Sequence, residues 1–333
     1  MSLHLKKLSK PLARAYESEE LTFYKDEIKL SGTLIKPAAG GPFPALVLVH
    51  GSGAQGRDMW EYRSHGYSLA KRGIAVLLYD KRGVGNSTGD YKTANFGALA
   101  EDAIAGIKTL KGRDDIMVSS VGLFGISQGG WISAIATRMN ESADFVVMLQ
   151  GPSVSLEEQE FHRVKYSLEA DGFAKSSVDS ALEHTRNYFG YVNEQSGWNN
   201  LTASSKAASN STWADYVITA SSKDDPNFQW WRTNAYDPAY DLQSIKVPVL
   251  AIFGEIDTAV PVKENRPKME EFLTKAGVKF EIAVIPGLHH SVTTYQGLHG
   301  GDNWDWPRAF WKWSRRPAEL DEIISKWILG QIR

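Results

Sequence analysis

Short apolar runs at 45–49, 74–79, 121–124, 145–149, 247–253 and 280–285 recur along the chain, with helix-patterned segments between most of them. The first run, Ala45-Leu46-Val47-Leu48-Val49, contains no polar position. A strand that is apolar on both faces must be covered on both faces, as happens in a parallel sheet flanked by helices. The intervening segments supply the helices. Residues 60–72 end at Gly73, residues 96–110 carry Leu99, Ala103, Ile107 and Leu110 at helical spacing, and 264–276 and 320–332 complete the set. The expected fold class is therefore α/β, with a mainly parallel, doubly wound sheet. Residues 21–24 and 28–35 differ: they alternate in polarity, as an antiparallel pair at a half-exposed edge does.

The alternation stops after residue 152 and resumes near 238. Residues 153–237 hold helical patterns at 156–170 and 178–189 and aromatic clusters at Tyr188, Phe189, Tyr191, Trp230 and Trp231, with no comparable strand run. A helical segment that leaves one strand and returns to another reads as an insertion over one end of the sheet. The expected organisation is a core of residues 1–152 and 238–333 with a helical cap insertion at 153–237. Within the insertion, the stretch 193–212, rich in Ser, Asn and Ala, reads as a solvated surface loop.

Composition removes several kinds of function. The 333 residues, 42% hydrophobic and 23% charged, are those of a globular chain with an ample core. A formal net charge of -2 gives no electrostatic attraction to nucleic acid or an anionic membrane. The absence of cysteine excludes disulfides, thiolate metal sites and a cysteine nucleophile. No run approaches the roughly 18 apolar residues of a membrane span. Residues 1–20 carry Lys6, Lys7 and Lys10 but no apolar run of signal-peptide length, so the expected compartment is the cytoplasm. Nothing in the sequence specifies an oligomeric state.

Working residues of an open α/β sheet lie just past the carboxyl ends of its strands. Those ends read His50-Gly51-Ser52-Gly53, Asp80, Gly125-Ile126-Ser127-Gln128-Gly129, Gly254-Glu255-Ile256-Asp257 and Pro286-Gly287-Leu288-His289-His290-Ser291. The third has the Gly-x-Ser-x-Gly pattern of a nucleophile elbow, where a sharp strand-to-helix turn exposes a serine and leaves no room for a Cβ on either side. Such a pattern arises by chance in about one chain in ten of this length, and Gly85-Asn86-Ser87-Thr88-Gly89 matches it too. Context separates the two. Ser87 lies in a polar, glycine-rich loop with no helix directly behind it, whereas Ser127 stands between a strand run and the helix-like 131–136. A serine, an acid and a histidine then follow in the order of a hydrolytic triad. The hydroxyl needs a base to become a nucleophile, and the base needs an acid to hold its tautomer. The residues alone leave Glu255 beside Asp257 and His289 beside His290.

Taken together, the His-Gly turn at 50–53, Asp80-Lys81-Arg82-Gly83-Val84-Gly85-Asn86-Ser87, the elbow, Gly254 to Pro261 and Pro286 to Ser291 resemble the α/β-hydrolases of the serine esterase type, especially the capped bacterial carboxylesterases. The resemblance covers residues 21–332. It implies the α/β-hydrolase fold with a helical cap and a metal-free, cofactor-free enzyme that cleaves small-molecule carboxylic esters through an acyl-enzyme. It also implies Ser127, Asp257 and His290 as catalytic residues. The family's spacing from the strand-end glycine selects Asp257 over Glu255, and its Pro-Gly-x-x-His turn selects His290 over His289. The backbone amides of Ser52 and Gln128 fall at the oxyanion hole. Asp80 and Arg82 fall in a structural loop network, and His50 is expected to bond the turn backbone.

Three other readings compete with this one. Gly51-Ser52-Gly53-Ala54-Gln55-Gly56 satisfies the dinucleotide-binding Gly-x-Gly-x-x-Gly, with Asp80 at the distance of a ribose ligand. A helix should open on those glycines, yet the apolar periodicity begins only near Trp60, and an NAD-dependent oxidoreductase leaves Ser127, Asp257 and His290 without a role. A non-catalytic binding protein on this fold would normally lack part of the triad. An amidase, peptidase or thioesterase uses the same residues, and the triad does not separate them. Trp304, Trp306, Trp311 and Trp313 follow the histidine loop. They read as an aromatic wall beside the pocket or, preferably, as packing under the cap or a subunit contact.

Overall fold

Eight strands form one sheet among the residues that the computed structural model describes, 15–292 and 317–332. They are Tyr16–Lys25 (β1), Ile28–Pro37 (β2), Phe43–Val49 (β3), Ala75–Tyr79 (β4), Ile116–Ile126 (β5), Val146–Leu149 (β6), Val249–Gly254 (β7) and Phe280–Ile285 (β8). Their spatial order is β1-β2-β4-β3-β5-β6-β7-β8. The β1–β2 and β2–β4 pairs are antiparallel, and every pair from β4 to β8 is parallel. The runs without polar positions occupy the middle, where every residue of β3, β4, β6 and β7 is buried. The alternating β1 and the mixed β8 lie at the two edges.

Successive residues of a strand face opposite sides, and β3 feeds two core layers accordingly. Ala45, Val47 and Val49 join one layer with Leu77, Leu123, Ile107 and Trp131, under helices Phe96–Lys111 (α2) and Gln128–Met139 (α3). Leu46 and Leu48 join the other with Phe124, Phe145 and Leu69, covered by Trp60–Ala70 (α1) and by Leu320, Ile324 and Ile328 of the helix Ala318–Gln331. Each such leucine contributes about 2 kcal/mol by leaving water. Helix α2 starts where the Asn95 side chain accepts from the Ala98 amide, and Lys108 and Lys111 stand in its last turn, where the helix dipole favours cations. A third cluster joins β7 to the helix Val262–Ala276 through Phe253, Met269 and Leu273.

The chain moves from β3 to β4 on one side and then to β5 on the other. That reversal opens a crevice at the carboxyl ends of β3 and β5, where ligands bind in sheets of this kind. Val49 and Gly125 are register partners there.

Between β6 and β7 the described elements are helical: Leu156–Ala170 (α4), Lys175–Glu194 (α5), Trp198–Ser209 (α6), Pro226–Thr233 (α7) and Ala239–Gln243 (α8), with a 3-10 turn at Ala214–Tyr216. They bury clusters of their own, including Tyr188, Tyr191, Leu201 and Phe228 in one and Val164, Leu168, Ala208 and Trp213 in another. Helix α4 opens on a capping box formed by Ser155 and Glu158. The surface loop expected over 193–212 is instead largely helical. Residues 193 and 194 finish α5, a short turn with left-handed Gln195 and Gly197 follows, and α6 takes 198–209. Leu201, Ser205 and Ala208 form its buried stripe, and side chains that small leave a faint apolar period. The tryptophans at 304–313 and the lysines at 6–10 lie outside the described residues. No helix among the described residues is long and apolar enough to cross a membrane.

Candidate active site

Ser127 is the hinge between β5 and α3, with φ 54° and ψ −124°. That conformation is costly for a residue with a Cβ, about 1–3 kcal/mol, and persists only where neighbours enforce it. Here the Ser127 amide donates to Leu149 O at 3.0 Å and its carbonyl accepts from the Gly130 amide at 2.8 Å. The flanking glycines are dictated by contact. A Cβ on Gly125 would stand 2.2 Å from Gly129 O, and one on Gly129 would stand 2.2 Å from Val49 O. The elbow is thus wedged against the end of β3. Ser127 itself remains partly accessible in a stretch that is otherwise buried.

The histidine loop after β8 reaches the same place. His290 Nε2 lies 3.1 Å from Ser127 Oγ, and His290 Nδ1 lies 2.8 Å from Asp257 Oδ2. The Asp257 side chain is completely buried, and its Oδ1 accepts from the amides of Ala259 and Val260 at 2.8 Å each. These amides hold the carboxylate from behind and leave its other oxygen to the imidazole. Gly254 ends β7 at a point where a Cβ would stand 2.3 Å from Leu288 O, so this glycine lets the histidine loop settle on the strand end.

Of the two alternatives in each pair, His290 and Asp257 make the contacts. The His289 ring is buried, and its backbone carbonyl accepts from Gln150 Nε2 at 2.7 Å. Glu255 is exposed and accepts from the Gly287 amide at 2.9 Å, steadying the start of the histidine loop.

The turn after β3 stands beside the elbow: a Cβ on Gly51 would lie 3.5 Å from Ile126 O. Among the described residues, neither the Ser52 amide nor the Gln128 amide has a protein acceptor. His50 is buried, with Nε2 2.6 Å from Tyr79 O. Burial, reinforced by the nearby Lys81 ammonium, pushes its imidazole down to about 3. The ring is therefore neutral at neutral pH and bonds backbone, as expected for a structural histidine.

Ser87 and Asp80 are spent on structure. Ser87 Oγ donates to Asp80 O at 2.7 Å and accepts from the Ser31 amide at 3.0 Å, which pins its loop to β2. The Asp80 carboxylate is buried and accepts from the amides of Arg57 and Asn86, both at 3.0 Å. Those bonds occupy the group that a dinucleotide ribose would need, and α1 begins at Trp60, nine residues past Gly51. Arg82 makes a bidentate pair with Asp102, with both bonds at 2.7 Å. Asp80 and Arg82 therefore act as structural loop residues through separate partners.

Two residues that motif reading passed over also bear on this site. Gln150, fully buried at φ 52°, reaches from the end of β6 to the histidine loop. Its signal was a polar residue directly after an apolar strand run. Lys81 is buried and donates from Nζ to Gly51 O at 2.5 Å and to Gly53 O at 2.9 Å. In sequence it stands inside the Asp80 to Ser87 motif with no role of its own.

Comparison with known proteins agrees with this architecture. The model of the family described as X-Pro dipeptidyl-peptidase (S15 family) matches residues 26–290. Esterase EstD of Thermotoga maritima is 31% identical over 276 residues, 80% of this chain and 59% of EstD, so the chain spans less than two thirds of that relative's length. Among solved structures, the esterase Pf2001 of Pyrococcus furiosus superposes with a TM-score of 0.57 at 18% identity, over 99% of this chain and 96% of that one. Est1E from Butyrivibrio proteoclasticus, solved with ferulic acid bound, gives 0.57 at 15% identity, over 94% of this chain and 99% of its own. At such identities the likeness concerns the fold, which is the α/β-hydrolase fold expected from the sequence.

Proposed function

We infer that this chain, which belongs to the X-Pro dipeptidyl-peptidase (S15) family, is a serine hydrolase that cleaves small-molecule carboxylic esters through an acyl-enzyme. The observation that carries this reading is the hydrogen-bonded series from Ser127 through His290 to Asp257, with separations of 3.1 and 2.8 Å, at the carboxyl end of the sheet. Ser127 Oγ attacks the ester carbonyl while His290 Nε2 takes its proton. Asp257 holds the Nδ1–H tautomer and stabilises the imidazolium. His290 then returns the proton to the alkoxide as the carbon–oxygen bond breaks, and the acyl group stays on Ser127. Water, deprotonated by His290, releases the acid and restores the serine. These steps use the protein's own groups and water, with no call on a metal or cofactor.

The oxyanion formed in each half-reaction is bound by the Ser52 and Gln128 amides, whose free N–H groups support the assignment. A donor of this kind contributes about 2.7–4 kcal/mol to the transition state. Residues 153–237 form a cap over the site and, with the crevice, choose the substrate. In support, the segment leaves from the end of β6, next to Ser127. Its Ser167 Oγ in α4 also lies 3.3 Å from Thr258 Oγ1, beside Asp257.

The test is hydrolysis of a p-nitrophenyl ester series together with labelling by a fluorophosphonate probe. The parent should turn over and carry the label on Ser127, and Ser127→Ala should do neither; activity within tenfold of the parent in Ser127→Ala would remove the assignment. A second reading, cleavage of X-Pro peptides, is favoured by the description of the matched family. An X-Pro p-nitroanilide assayed beside the esters separates the two. The curated relative EstD is called an esterase, and the ester is the substrate we expect to be preferred.

A further inference from the structure

Lys81 follows Asp80 at the end of β4, the strand beside β3, and its whole length is turned inward. Its backbone amide donates to Gln55 O at 3.2 Å, while its ammonium bonds the carbonyls of Gly51 and Gly53 and lies 5.8 Å from the centre of the Tyr91 ring. Among the described residues no carboxylate lies within ion-pairing distance of it. A buried ammonium without a counter-charge is expensive, and burial pushes this one down to about 7. Filling space alone would be better done by an apolar side chain.

What the ammonium holds is informative. In a trans peptide the carbonyl of one residue and the N–H of the next point in opposite directions within one plane. Fixing Gly51 O therefore fixes the direction of the Ser52 N–H. The other end of Gly51 is tied as well, since its amide donates to the Tyr62 hydroxyl at 3.1 Å, and that hydroxyl in turn bonds Gln55. Gly53, at φ 80°, completes a turn whose two carbonyls converge on one cation. Among the described residues the Ser52 N–H has no protein acceptor, and of the turn's amides it is the one whose direction the Gly51 carbonyl sets.

We propose that Lys81 is a positioning residue of the oxyanion hole, which holds the Gly51 and Gly53 carbonyls so that the Ser52 amide is fixed in its donating direction. The proposal rests on the esterase reading above and adds to it how one of the two donors is preorganised. A donor held in advance costs no reorganisation as charge develops. Loosening it should therefore harm the transition state more than the bound substrate.

The test compares the full parent chain with Lys81→Met, which keeps the stem and removes the donors. Circular dichroism reports whether the variant folds; if it does not, Lys81→Gln, which retains one donor, takes its place. The kcat for p-nitrophenyl acetate should fall about 10- to 100-fold, short of the full loss of a donor, with KM moving less than about threefold. Inhibition by an aryl trifluoromethyl ketone, which adds Ser127 Oγ to give a hemiketal oxyanion, should weaken by the same factor as kcat/KM. Inhibition by the corresponding alcohol, which forms no oxyanion, should hold steady. Equal losses for ketone and alcohol, or none for either, overturn the proposal. Backbone hydrogen exchange over residues 50–55 supplies a readout free of ester chemistry and should quicken about tenfold or more. An active parent with unchanged exchange in the variant removes the clamp, whereas a parent that cleaves no ester removes the reading beneath it.

Discussion

The side-chain amide of Gln150 donates to the carbonyl of His289 at 2.7 Å, across 139 positions of sequence. That carbonyl shares its peptide plane with the His290 amide, so the bond steadies the backbone from which the His290 ring reaches Ser127. Gln150 holds φ 52° and is fully buried, while its own amide donates to Ile252 O at 2.7 Å. The end of β6 is thereby tied to β7 and to the histidine loop at once.

Replacing Gln150 by Met should leave the His289 carbonyl buried without that donor. The expected cost is about 1–3 kcal/mol of stability, read from urea unfolding. The kcat on p-nitrophenyl esters should fall about tenfold, because a small displacement of a reacting group is kinetically expensive. A variant with the stability loss and the parent's kcat would show that Gln150 supports the fold and does not orient the histidine.

Ser127 offers a trade between stability and turnover. Its φ of 54° carries about 1–3 kcal/mol of strain, and glycine would relieve it while losing about 0.5–1 kcal/mol to the unfolded chain's freedom. Ser127→Gly should therefore be inactive and more stable than the parent by an amount on the order of 1 kcal/mol. Ser127→Ala keeps the Cβ and should gain little. Thermal unfolding of the three proteins side by side checks the order.

Much of this arrangement was legible because each signal was physically local. Ala45-Leu46-Val47-Leu48-Val49 has the pattern of a doubly covered strand, and it feeds both core layers. Gly125 and Gly129 mark the elbow because a Cβ at either position meets backbone about 2.2 Å away. Residues 16–20 carry no strand signal, since the run Tyr16-Glu17-Ser18-Glu19-Glu20 is polar and β1 is held there by ladder bonds to β2 at an exposed edge. Helix α6 shows little apolar period in sequence because its buried stripe is Leu, Ser and Ala. No motif gives Gln150 or Lys81 its role: what each does depends on a carbonyl brought to it by a distant segment, which no local pattern records.

Gly254→Ala examines the seat of the histidine loop. The added methyl would stand 2.3 Å from Leu288 O, a backbone atom, and 2.8 Å from Gln150 Nε2. The loop must shift, and His290 with it. Fluorophosphonate labelling of Ser127 should slow by about 100-fold or more, as expected for a displacement near 1 Å. The far-ultraviolet circular dichroism should stay that of the parent. Unslowed labelling would mean that the loop does not depend on this contact.

The neutrality of His50 sets a pH dependence of stability. Its folded pKa, pushed down to about 3 by burial and by the Lys81 ammonium, lies below the unfolded value of 6.5. Between these values the unfolded chain binds the extra proton, so stability rises with pH across that window and is lost as pH falls through it. From pH 7 to pH 5 the loss from this one group is about 2 kcal/mol. His50→Gln keeps an amide donor for Tyr79 O and has no proton to gain. Other histidines titrate in the same range, so the parent and the variant must be compared. Urea unfolding at the two pH values should show the variant losing about 2 kcal/mol less than the parent, whatever its stability at pH 7. Equal losses would mean that His50 accepts a proton in the folded chain, against its burial and its 2.6 Å contact with the Tyr79 carbonyl.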